Sequence, residues 1–165
     1  MSPLRLPPGK STFDLQIQQD WYTFSMLQSI PHLLSALFFA LSFIHIYWAF
    51  GGQIGLRKVI PLNQNGEPLF TPGPLMTIIV ATLLALAGFY FICGAFGLHD
   101  FRGAMAYPAW VVAVLFLARA IGDFRYIGFL KRIGGSDFAR LDTLLYSPLC
   151  LLISGLIVLY QYDRF

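Results

Sequence analysis

The sequence predicts an all-α fold: an integral membrane four-helix bundle with an N-terminal interfacial or extending helix. Three observations predict it. Of the 165 residues, 57% are hydrophobic and only 12% charged, against about 45–50% and about 25% in soluble domains, so a water-facing surface is hard to build. The charges are also bunched: none falls between Asp20 and Arg57, Glu67 and Asp100, Arg102 and Arg119, or Asp142 and Asp163. Proline and glycine punctuate those stretches where spanning helices would begin and end. The same composition excludes a disordered chain, and two cysteines are too few for a disulfide-stapled mini-protein.

A spanning helix needs about 20 mostly apolar residues. The segment 1–30 reads as an N-terminal extension with an amphipathic helix, followed by a four-transmembrane-helix domain over 31–165. The opening MSPLRLPPGKST lacks the apolar core of a signal peptide. Phe13, Ile17, Trp21 and Phe24 recur at helical spacing; this helix either lies in the interface or extends the first span. The first span, about 32–50, is opened by Pro31 and closed by Gly51 and Gly52. The second, about 74–98, opens on Pro74. The third is the informative one. Its charge-free stretch is only 16 residues, so a full crossing, about 105–124, must carry Arg119 and Asp123 with it. The fourth, about 143–162, follows a helix start capped by Ser136, with Asp137 in its first turn. Trp21, Tyr22, Tyr107, Trp110, Tyr160 and Tyr162 mark one membrane face, and Tyr47, Trp48 and Tyr126 the other.

Two long connections share a face. Residues 51–71 are rich in Gly, Pro and Asn and exceed the usual length of a structureless loop, as a lid or binding loop does. Residues 124–142 read as a short basic helix ended by Gly134 and Gly135, then the capped helix start. Arg57, Lys58, Arg125, Lys131, Arg132 and Arg140 outnumber Arg5, Lys10, Arg102 and Arg164 on the opposite face, which places the long loops in the cytoplasm.

Ionisable residues at membrane depth are costly and usually face the bundle interior or a wet cavity. Threading the spans brings His45, Trp48, Arg119, Asp123, Arg125, Asp142 and Tyr146 to one depth, near the long loops. Arg119 and Asp123 are four apart and able to pair on one helix face. Two readings follow: an interhelical lock, or a polar pocket binding an anionic or polar head on an apolar body, such as a lipid, quinone or isoprenoid-like molecule. Lys131 and Arg132, among apolar neighbours, fit an interfacial segment touching anionic lipid headgroups. No metal site and no cofactor are predicted; a haem or other tetrapyrrole held by His32 and His99, near one face, is the one arrangement the histidines leave open. Cys93 and Cys150 lie too far apart in depth for a disulfide. The net charge of +3 is topological and gives nucleic-acid binding no support. Small residues four apart (Ala36 and Ala40, Ala81 and Ala85, Ala109 and Ala113, Ala118 and Gly122) permit close helix packing.

Three runs, HIYWAFGG from His45 to Gly52, RAIGDFRYIGFLKR from Arg119 to Arg132, and FARLDTLLYSPLC from Phe138 to Cys150, resemble the small bacterial multi-pass proteins of domain-of-unknown-function family 3995. The resemblance covers about 33–160. It implies a four-helix protein of the bacterial inner membrane and supplies no activity. No nucleophile–base pair or catalytic motif is identifiable, so enzyme chemistry stays unassigned. Three expectations remain: a lipid-like or anionic ligand in the pocket; an accessory subunit of a larger membrane complex; and an oligomeric transporter or channel, since four helices rarely enclose a pore alone.

Overall fold

Among the described residues, four helices long and apolar enough to cross a membrane build the fold, at Leu27–Ala49, Pro74–Ala95, Gly103–Ile121 and Asp137–Tyr162. The computed structural model describes residues 12–63, 65–100, 102–132 and 134–162; the side chains of residues 12–15 and 18–26, Trp21 and Tyr22 among them, lie outside that description. Helix α1 is continuous over Thr12–Ala49, so the amphipathic segment extends the first span rather than turning away from it. At about 1.5 Å per residue it reaches about 57 Å, well beyond a hydrocarbon core of about 30 Å. Pro31 therefore does not open a helix but lies inside one. It withholds an N–H from the turn before it, and burial of Ile30, Pro31 and Leu34 against the other helices holds the rod through that gap.

A single turn, α2 (Leu56–Val59), sits in the first long loop. Helix α3 (Pro74–Ala95) begins with proline at its first position. It ends where Leu98 N donates to Cys93 O, with Gly97 left-handed at φ 72°, a closure that glycine allows at low cost. A 3-10 turn, Gly103–Ala106, leads into α4 (Tyr107–Ile121). Beyond it, α5 (Asp137–Leu141), a π-helical turn (Asp142–Tyr146) and α6 (Ser147–Tyr162) form one rod. Ser136 caps that rod as expected, its Oγ accepting from Ala139 N at 3.0 Å. The π turn has a cause in sequence. Pro148 cannot donate inside a helix, and the chain widens one turn ahead of it, where Ser147 N reaches back to Asp142 O.

The helices associate as two pairs. Helix α1 packs along α3, α4 along α6, and a narrower α1–α6 seam joins the pairs. Ser42 Oγ donates to Ala81 O at 2.8 Å, and a Cβ at Gly88 would meet the Phe39 ring at 3.3 Å, so α1 and α3 lie close. On α4, Ala109, Ala113 and Ala120 are buried at heptad-like spacing, continued by Ala106 at the end of the 3-10 turn. Ala36, Ala40 and Ala118 are exposed and take no part. Leu34, Phe38, Phe91, Ile153 and Ile157 form the central core, with Phe38 stacked on Phe91 at 5.7 Å and edge-on to Phe116 at 5.5 Å. Helices α3 and α4 touch only marginally, leaving a lengthwise opening between the pairs.

Candidate functional site

Asp142 is the most deeply placed charge among the described residues, with no exposed surface. The π turn sets it facing inward. Its Oδ1 accepts from Arg119 Nη2 at 2.9 Å; its Oδ2 accepts from Lys131 Nζ at 3.0 Å and from Gly128 N at 2.7 Å. A buried carboxylate is tolerable only when paired and hydrogen-bonded, and here three donors meet it. Arg119 thus bonds across the bundle to Asp142, not along its own helix to Asp123. The expected i, i+4 pair fails because α4 ends at Ile121, three residues short of Phe124, at Gly122 with φ 87°.

Past Gly122, Asp123 has a different task. Its Oδ1 accepts from the backbone N–H groups of Arg125, Tyr126 and Ile127 at 2.9, 2.7 and 2.9 Å. Burial by itself would push this carboxyl up, but those N–H groups hold it below its ordinary value. The loop then returns on α4: Phe129 N donates to Ala120 O at 2.9 Å and Leu130 N to Ile121 O at 3.4 Å. The close apposition needs two glycines, since a Cβ at Gly122 would lie 1.7 Å from Ile127 O and one at Gly128 2.3 Å from Ile121 O. The basic helix expected over 124–133 does not form over the described residues 124–132; its place is taken by a loop closing the end of α4 and presenting Gly128 N–H to Asp142.

Lys131 is turned inward, its side chain only 7% exposed, with further bonds to Gly128 O and Thr143 Oγ1. Expected at the headgroups, it belongs instead to the Asp142 cluster. Arg132 is exposed, and Arg125 lies over the Tyr126 ring at 5.2 Å. His45 and Trp48 are half-buried and bond locally. His45 Nδ1 donates to Leu41 O at 2.7 Å and Trp48 Nε1 to Ile54 O at 2.9 Å, with their rings edge to face at 5.2 Å. Tyr146 donates to Lys58 O at 3.4 Å, tying the first long loop to the π turn. That loop is itself ordered around Asn63, whose Oδ1 accepts from the N–H groups of Asn65 and Glu67. Of the seven residues expected to line one pocket, only Arg119 and Asp142 bond to each other; Asp123, Arg125, His45 and Trp48 make local contacts, and Tyr146 reaches the first long loop.

Between α3 and α4 runs an apolar groove of about 490 Å³. Phe38, Tyr90 and Phe116 form its floor, and exposed Val80, Leu83, Val111 and Leu115 its walls. Arg119 closes its long-loop end. The Arg119 side chain is 36% exposed, while its Nη1 is buried and meets no acceptor among the described residues. The groove was not legible beforehand, because apolar residues facing a groove and apolar residues facing lipid give the same pattern. At the opposite face a polar cavity of about 520 Å³ is lined by His32, His99, Asp100, Arg102 and Tyr160 among others. His32 Nδ1 donates to Gln28 O and His99 Nε2 to Tyr90 O. Among the described residues no group of three or more His, Cys, Asp or Glu is placed to hold a metal ion. Cys93 and Cys150 are free thiols.

The family described as Protein of unknown function (DUF3995) has a model that matches residues 38–157. The chain belongs to that family, and with its four apolar spans it is a multi-pass membrane protein. No curated protein and no solved structure matches it.

Proposed function

We propose that this protein holds an anionic membrane lipid in the groove between α3 and α4, with the acidic head on Arg119 and one chain along the apolar walls. The observation that carries the reading is Arg119 at the end of that groove, with Nη2 on Asp142 and Nη1 buried without an acceptor among the described residues. An unsatisfied buried donor is costly, and a planar guanidinium suits phosphate or carboxylate. Charge points the same way, since two cations share one carboxylate. Along α4 the groove runs from Pro108 to Arg119, about 16 Å at 1.5 Å per residue. That is roughly half of a core about 30 Å thick, so its occupant is a chain from the leaflet on the long-loop side; the excess of arginine and lysine on that side supports a cytoplasmic leaflet.

The test is native mass spectrometry of the full chain released from nanodiscs holding equal amounts of phosphatidylglycerol and phosphatidylethanolamine with the same chains. Retention enriched in phosphatidylglycerol, lost in Arg119→Leu and reduced in Leu115→Trp, which fills the groove, supports the reading. Equal retention of both lipids by the wild type overturns it.

A further inference from the structure

We infer that Lys131, which does not line the groove, sets the groove's selectivity for an anionic head; this rests on the lipid reading above. Asp142 carries one negative charge, and the two cations sit on its two oxygens, Arg119 on Oδ1 and Lys131 on Oδ2. With Lys131 neutral, Arg119 and Asp142 are a balanced ion pair, able to donate hydrogen bonds but exerting little net field. With Lys131 charged, the cluster is one unit positive, and the excess is felt at the groove end, where Arg119 is the exposed member.

Lys131 has no donor left over for a lipid. Its ammonium is committed to Asp142 Oδ2, Gly128 O and Thr143 Oγ1, and its side chain is almost wholly covered. It therefore acts through Asp142 and through space, as a positioning and selectivity residue. Burial favours that action, since salt screens a covered charge far less than an exposed one. The loop is built to bring it there: two glycines allow the close return, and Gly128 N–H occupies the same carboxylate oxygen.

The experiment compares wild type with Lys131→Gln, which keeps an N–H donor but no charge, Lys131→Met, which keeps only the apolar stem, and Lys131→Arg, which keeps the charge. All are full-length, checked for folding by size exclusion and thermal melting, and read in the same mixed nanodiscs. The ratio of retained phosphatidylglycerol to phosphatidylethanolamine is expected to fall about five- to twentyfold in Lys131→Gln and Lys131→Met, with total retained lipid unchanged. Lys131→Arg restores the ratio. A merely structural lysine would lower total retention and leave the ratio alone, and that result overturns the inference. A wild type that prefers phosphatidylglycerol beside a neutral variant with the same preference overturns it too, while leaving the lipid reading intact. A wild type without preference overturns both.

Discussion

Two aspartates near the ends of spans do opposite work, and single-residue chemistry separates them. Asp142 is sealed and pairs with two cations, one on each oxygen; Asp123 is exposed and organises a turn through three backbone N–H groups. The consequence for Asp123 is a pH dependence whose sign can be worked out. Its folded carboxyl is held below its ordinary value, so its contribution is complete above the unfolded value of about 3.9 and is lost as pH falls through the lower folded value. Asp123→Asn keeps the accepting oxygen but cannot titrate, so its thermal stability in detergent should decline less than wild type between about pH 5 and pH 2. Asp123→Ala removes the acceptor and should cost on the order of 1 kcal/mol at neutral pH. Unfolding curves of the three proteins across that range check both statements. Sequence alone placed Asp123 beside Arg119 because i, i+4 spacing presumes an unbroken helix, and Gly122 breaks it.

At the scale of elements, the segment from Gly122 to Lys131 carries the largest difference between expectation and structure. Its apolar and basic residues suggested a helix, yet its shape is set by backbone demands that side-chain periodicity does not record. Gly122 and Gly128 have left-handed φ values of 87° and 88° and touch the facing backbone. Gly122→Ala should therefore destabilise the fold by at least about 2 kcal/mol and speed amide exchange at Phe129, whose N–H caps Ala120 O. Gly134→Ala, with open space around its Cβ, should stay within about 0.5 kcal/mol. Exchange mass spectrometry with thermal melting distinguishes them. The π turn was missed for a related reason. The pointer was present, a proline inside a helix that continues past it, but only the structure shows that the adjustment falls on Asp142 and turns it inward.

The whole molecule is decided by which helix faces meet. Four pairs of small residues were equivalent in sequence, and the structure uses them unequally: Ala109 and Ala113 are buried on α4, whereas Ala36 and Ala40 are exposed. Ala113→Leu should force α4 from α6 at a cost of about 1–3 kcal/mol. Ala40→Leu, facing lipid, should be nearly neutral. Thermal melting of the two variants in detergent reads the difference. The uneven pairing also leaves the α3–α4 groove open, which places the candidate site on the outside of the bundle rather than in its interior.

The sequence by itself determined that this chain is a four-span helical membrane protein, because hydropathy and the spacing of charges act locally and register directly in the order of residues. It also singled out Arg119 and Asp142, because charges at membrane depth are too costly to be incidental. Which of them pair, that Lys131 joins them while Asp123 does not, and that a groove ends at Arg119 were decided by the tertiary structure alone. Each depends on where one helix ends, how a glycine loop turns back, and which apolar faces remain uncovered, and none of these distances is written in local spacing.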